Sequence, residues 1–183
     1  GISLFVRWGA CCARVVKSSS VTGGGTMALA TQGLLPLPGS AALVLGDNLG
    51  TTITAELAAL KTDLSARRMA RSNSTSNILG ATYMVILFPF YIHLVEWFTQ
   101  TFMNFGPAEL VVDGVKPNIA RYVANAHTIF NVVNAIVMVS ALPLLVKAGI
   151  ALTPKRNQDD RSDLLKPMYL DEGSLRTPTV ALS

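Results

Sequence analysis

Charge is the scarcest ingredient of this chain. Asp, Glu, Lys and Arg make up 14% of its 183 residues and hydrophobic residues 50%, whereas roughly a quarter of an average soluble domain is charged. A soluble protein of this size needs more charge to cover its surface, so the composition favours a membrane protein, in keeping with a mean hydropathy of +0.43. Cysteine is nearly absent: Cys11 and Cys12 are adjacent and have no other cysteine to pair with, which excludes both a disulfide framework and a zinc pattern. No nucleophile–base pair, P-loop or metal-ligand cluster is present, so the sequence offers no enzyme chemistry and calls for no cofactor. The formal charge of +4 comes from basic residues beside apolar segments rather than from an aromatic-interleaved patch, which argues against nucleic acid as a partner. With Gly1 in place of an initiator Met and an end at Ser183 in mid-pattern, the chain reads as a piece of a longer protein.

What is present is a set of apolar segments interrupted by polar clusters. Leu4 to Val16 is mostly apolar but carries Arg7 and Arg14. At about 1.5 Å per residue it is too short for the roughly 30 Å hydrocarbon core. Ser18 to Gly25 is expected to break the helix, and Thr26 to Leu35 to resume it before Pro36 and Pro38. Two short helices around such a break suit a re-entrant hairpin over residues 4–35, tolerated at depth where protein or a water-filled cavity covers it. The alternative is a soluble helix–loop–helix.

Residues 41–60 are long enough to cross once. Gly46, Gly50 and the polar residues between them fall mid-segment, so a discontinuous helix is expected there, the device with which transporters build midplane ion sites. Residues 78–98 predict a second span, kinked at Pro89, and residues 126–146 a third, with His127, Asn131 and Asn134 in its first turns. His127 reads as an interfacial hydrogen-bonding residue. Basic stretches follow the first and third spans: Lys61, Arg67, Arg68 and Arg71, then Lys147, Lys155, Arg156 and Arg161. The positive-inside rule puts them in the cytoplasm. The polar tail, residues 151–183, then reads as a cytoplasmic linker, and the protein as a multi-pass protein of the cell membrane. Arg67 precedes Asn77 by the interval at which Arg121 precedes Asn131, which suggests two related helical segments.

Two polar clusters carry the expected chemistry. In Lys17-Ser18-Ser19-Ser20-Val21-Thr22, hydroxyls and free backbone N–H groups at a helix break can wrap a tetrahedral oxyanion. The alternative is a solvated Ser/Gly linker. In Asp47-Asn48-Leu49-Gly50-Thr51-Thr52-Ile53-Thr54, neutral oxygens from Asn48, Thr51, Thr52 and Thr54, with carbonyls freed at a break, suit a weakly held monovalent cation such as Na⁺. Threonine in a membrane helix also bonds its own backbone. An isolated lysine at the bilayer centre costs roughly 2.5–3.5 kcal/mol, so Lys17 is expected to pair with Asp47, to serve the anion directly, or to turn into a watery vestibule.

The same residues resemble the sodium/phosphate cotransporter family, the type II class and its bacterial relatives. That family carries a QSSS(A)T motif on a re-entrant hairpin, then G-x-N-I-G-T-T-x-T-A. Here Lys17 to Thr22 stand for the first, and Gly46-Asp47-Asn48-Leu49-Gly50-Thr51-Thr52-Ile53-Thr54-Ala55 for the second. Gln32-Gly33-Leu34-Leu35-Pro36 and Ala126-His127-Thr128-Ile129-Phe130-Asn131-Val132 are also family-like, and order and spacing match over roughly residues 9–150. The resemblance implies an all-α membrane fold of two inverted repeats, of which this chain, over residues 1–150, is most of the second: a re-entrant hairpin plus about three transmembrane helices, one discontinuous. It implies sodium-coupled phosphate transport by alternating access, with Ser18, Ser19, Ser20, Thr22 and Lys17 on the phosphate side and Asn48, Thr51, Thr52, Thr54 and Asp47 on the sodium side. The implied partners are the lipid bilayer, the upstream repeat of the same protein and, through the segment from Tyr169, a PhoU-like regulatory domain. Three charges depart from the family pattern: Lys17 replaces its Gln, Asp47 a small residue, and Arg14 an apolar one. The competing reading is a membrane scaffold or signalling component that keeps the fold without transporting.

Overall fold

The computed structural model describes residues 1–153, and these form seven helices: α1 (Ile2–Val16), α2 (Ser19–Thr31), α3 (Leu37–Ala59), α4 (Leu64–Ile86), α5 (Phe88–Thr101), α6 (Ile119–Ser140) and α7 (Leu142–Ala151). Residues 154–183, most of the expected cytoplasmic linker, lie outside the described residues.

The first break is far tighter than expected. Only Lys17 and Ser18 separate α1 from α2, because Ser18 is a ready helix start: its side chain accepts a hydrogen bond from the Val21 amide at 3.4 Å, satisfying one of the donors a helix N-terminus leaves open. Lys17 takes the left-handed conformation, φ 56°, at the end of α1. Gly23, Gly24 and Gly25, expected in the break, lie inside α2. That helix closes on Gly33, φ 75°, with Gly33 N–H donating to the Ala30 carbonyl and Leu34 N–H to that of Leu29, the Schellman pattern. An apolar groove of about 440 Å³ separates α1 from α2, with Leu4 and Leu29 towards one end and Val16 and Val21 at the turn. The two helices therefore run antiparallel.

The expected discontinuity in residues 41–60 is absent. Helix α3 is continuous for 23 residues, about 34 Å. Three of its polar side chains bond within the helix: Asn48 donates to the Val44 carbonyl, Thr51 to that of Asn48 and Thr52 to that of Leu49. Its glycines serve packing. A side chain at Gly46 would meet the backbone of Val6 and Ala10 in α1, and one at Gly50 would meet Ala10 and Ala13. Gly9 of α1 is likewise closed off by the backbone of Leu43. Small residues on both partners let the two backbones touch, and the rising register shows that α1 and α3 run parallel.

The break falls instead at Leu87, where α4 and α5 meet at 88°. Residues 78–98 are thus divided between two helices, with a far sharper bend than a kink. Pro89, in the first turn of α5, has no N–H for the carbonyl of Val85 and its ring would collide with it. A second Pro, Pro143 in the first turn of α7, ends the third expected span early. That helix, α6, covers Ile119–Ser140 rather than residues 126–146, and among the described residues it is the one helix long and apolar enough to cross a membrane unaided; the bent α4–α5 pair meets the same criterion when taken together.

Helix α3 sits at the centre and packs against α1, α2, α4 and α6. Its Leu37, Ala41 and Leu45 join Tyr91, Val95, Ile119, Tyr122 and Phe130 in the core. The α5–α6 connection turns at Asp113-Gly114, both with positive φ, and the Lys116 amide donates to the Thr31 carbonyl at 2.8 Å, holding this connection against the end of α2.

Candidate functional site

Helix α2 begins beside the middle of α3. The parallel register of α1 on α3 brings the α1–α2 turn past Gly50, and the antiparallel α2 returns along the same stretch. Two groups of residues distant in sequence, Lys17–Thr22 and Asp47–Thr54, are thereby placed on neighbouring elements.

At the turn, Ser18 is half-buried and used as the cap, and its carbonyl accepts from both the amide (3.2 Å) and the hydroxyl (3.0 Å) of Thr22. Ser19 and Ser20 are exposed. Their hydroxyls have no partner among the described residues, and their amides, first in the helix, belong to the set that a helix leaves open. Lys17 is exposed beside them. This is a positive helix end with hydroxyl and amide donors pointing outward, an arrangement suited to an anion. The expected Lys17–Asp47 ion pair is not formed. The left-handed turn at Lys17 leaves its ammonium in the open, while Asp47 is 2% exposed.

On α3 the polar residues take different environments. Thr52 is buried; Asn48, Thr51 and Thr54 are half-buried. Since the helix is unbroken, no backbone carbonyls are freed here, and the oxygens this stretch can offer are those of its side chains. Asp47 is the charged member of the group. Its Oδ1 is buried with no hydrogen-bond partner. Thr22 of α2, whose hydroxyl donates to the Ser18 carbonyl, and His127 of α6 are the polar groups near enough to act on its carboxylate. Thr22, grouped by its motif with the anion residues, thus lies beside Asp47 of α3, and His127, read as an interfacial residue, belongs to the same cluster. One signal for His127 was available: it lies in the family-like Ala126–Val132 stretch. Nothing in residue spacing ties it to Asp47. Among the described residues, no three His, Cys, Asp or Glu side chains converge as a metal site would require.

Below this cluster Glu56, 19% exposed, pairs with Arg71 of α4 at 3.4 Å. Asn77 and Asn131, the two asparagines at matching intervals from arginines, each donate to the carbonyl one turn back, of Asn73 and His127 respectively.

Comparison with known proteins finds a family model and several relatives that match the chain. Residues 4–110 match the family described as Na⁺/Pi-cotransporter. A protein of Escherichia coli K12 named for inorganic phosphate export, YjbB, is 28% identical over 158 residues, covering 86% of this chain and 26% of that protein. Its counterpart in Salmonella typhimurium LT2 is 26% identical over the same length. YqeW of Bacillus subtilis 168 is 27% identical over 142 residues, 78% of this chain and 41% of that protein. The chain thus spans about a quarter of the phosphate-export relatives and two-fifths of YqeW. No solved structure matches it.

Proposed function

The chain belongs to the Na⁺/Pi-cotransporter family, and on that premise we propose that the full-length protein moves inorganic phosphate across the membrane, coupled to sodium, by alternating access. The observation that carries this reading is the placement of the α1–α2 turn beside the polar stretch of α3. Phosphate is held at the turn by the amides and hydroxyls of Ser19 and Ser20, with Ser18 shaping the turn and Lys17 adding positive charge. Sodium is held between Asp47, Asn48, Thr51, Thr52 and Thr54 on one side and Thr22 on the other, which offsets the charge of the anion.

In this reading α1 and α2 form the re-entrant hairpin. At 15 and 13 residues, both fall short of the roughly 20 that a crossing helix needs. The exposed apolar side chains of α4, α6 and α7, such as Ile86, Ile136, Val139 and Leu144, face lipid or the rest of the protein. The other half of the site comes from an upstream inverted repeat. The tail is cytoplasmic and leads towards a PhoU-like domain.

The test is radiolabelled phosphate movement by the full-length protein in vesicles, with Na⁺ replaced by choline. Uptake and efflux are both followed, because relatives are named for export. Sodium-dependent flux in either direction is expected. No flux in either direction under any cation would overturn transport and leave the scaffold.

A further inference from the structure

A second groove, of about 360 Å³, lies between α4, α6 and α7 and is lined by none of the residues assigned above to phosphate or sodium. It runs along α4 from Thr75 to Ile86, about 16 Å of helix. That matches one leaflet, half of the roughly 30 Å hydrocarbon core. Its walls are apolar in effect as well as in composition, because each hydroxyl that lines it is already committed. Thr75 donates to the Arg71 carbonyl at 2.8 Å, Thr82 to that of Ile78 at 2.7 Å, and Tyr83 to the Asn134 side chain at 3.2 Å. The groove therefore suits a hydrocarbon and keeps no hydroxyl hydrogen with which to recognise a polar guest.

One end of the groove is basic. Thr75 follows Arg71 by one helical turn and Arg68 by two, so both arginines continue the α4 face that lines it. Helix α7 packs on α4 at this end: a side chain at its Gly149 would meet the Ser72 hydroxyl and the Arg68 carbonyl, and Ser72 donates to the Leu145 carbonyl at 3.2 Å. Lys147 is exposed beside the groove residue Ala148. The Nε of Arg68 is buried without a hydrogen-bond partner. Arg71 meets Glu56 through its own Nε, and its side chain is about half exposed. The acids nearby are occupied, Glu56 by Arg71 and Asp63 by the Ala66 amide.

We propose that this is a binding site for an anionic phospholipid: one acyl chain fills the groove, and the lipid phosphate is held at its basic end by Arg68, Arg71 and Lys147. The positive-inside rule puts that end in the cytoplasm, so the lipid belongs to the inner leaflet. Lipid fits the groove better than a protein helix does. Helices that pack in membranes meet on small residues, as α1 and α3 do, whereas Leu79, Ile86, Val137 and Leu144 present branched, exposed side chains here. The inference rests on the membrane reading of the chain and not on phosphate or sodium binding.

The test is native mass spectrometry of the purified full-length protein in detergent, titrated with phosphatidylglycerol and with phosphatidylcholine of the same acyl chains. Phosphatidylglycerol is expected to bind at least about fivefold more tightly, the effect of one basic residue near an acidic headgroup. Arg68→Gln and Lys147→Gln are each expected to weaken it about fivefold and to leave phosphatidylcholine unchanged. Leu79→Trp, which fills the groove, is expected to weaken it with every charge in place. Thermal unfolding of each variant shows whether it is folded, and the exposed Lys147 carries the test should Arg68→Gln not fold. Glycerol 3-phosphate, a headgroup without chains, is expected not to compete.

Equal binding of the two lipids overturns the site, as does wild-type affinity for phosphatidylglycerol in a folded Lys147→Gln or Leu79→Trp protein. Competition by glycerol 3-phosphate as strong as that of the lipid would mark a free-anion site instead. Cross-linking of a Leu79→Cys protein to another part of its own chain would mark the groove as an internal interface and overturn the lipid. Each of these outcomes leaves transport standing, whereas a protein that stays in solution without detergent overturns both.

Discussion

The Tyr91 hydroxyl donates to the Ala126 carbonyl at 2.7 Å, both groups buried, and with the bond from the Asn125 side-chain amide to the Thr99 hydroxyl at 2.9 Å it ties α5 to α6 beyond the right-angled bend at Pro89. The bend alone would leave α5 free to splay. The tyrosine gives it a fixed partner, one residue before His127.

Tyr91→Phe removes the bond but keeps the ring that fills the core. The Ala126 carbonyl still accepts within its own helix, so the expected loss is about 1 kcal/mol. Thermal unfolding of the full-length protein in detergent would register it. An unchanged midpoint would mean that packing and the Asn125–Thr99 bond are enough to hold α5.

The α1–α3 seam makes a sharper prediction. Gly46→Ala and Gly50→Ala each push a methyl group into the α1 backbone, and overpacking of this kind costs about 1–3 kcal/mol. Gly24→Ala meets open space and gains up to about 1 kcal/mol of helix propensity. The opposite signs, measured side by side, separate packing glycines from tolerated ones.

At the hairpin turn, Lys17→Gln removes an exposed charge beside the α2 N-terminus. The expected effect is a two- to tenfold weaker affinity for phosphate, corresponding to about 0.4–1.4 kcal/mol, shrinking as salt is raised. Because Lys17 does not touch Asp47, the ratio of affinities in Na⁺ and choline should survive. Phosphate titration at two ionic strengths checks both halves.

Glu56 and Arg71 form an ion pair between α3 and α4, with one partner largely covered and the other about half exposed. Glu56→Gln should cost no more than about 1 kcal/mol in unfolding measurements, since exposure of the arginine screens the attraction. A loss several times larger would show that the pair is shielded by parts of the protein beyond residues 1–153.

Several of these features were legible in the residues themselves. The Ser-rich turn between two short apolar stretches announced a hairpin, and Pro89 announced a change of direction. What local pattern could not supply was degree and purpose. Glycine both weakens a helix and allows close approach, so Gly46 and Gly50 invited a break where the fold uses them for contact with α1. Asn48, Thr51 and Thr52 were expected to offer oxygens to a cation, and each donates its own hydrogen to a carbonyl one turn back. The Asp47–Thr22–His127 cluster draws on three helices, and no single-chain periodicity relates them. Lys17 and Asp47 stood out as opposite charges in one polar region and suggested a pair, but one left-handed residue turns the lysine outward.

Contact between two backbones has a mechanical consequence. Side chains at an interface can change rotamer and let helices slide, but peptide groups in direct contact have no such slack. The seam of Gly9, Gly46 and Gly50 therefore makes α1 and α3 one stiff wedge. In the proposed transport cycle, that leaves α2, on its two-residue tether and with the apolar groove behind it, as the element of the hairpin with room to move.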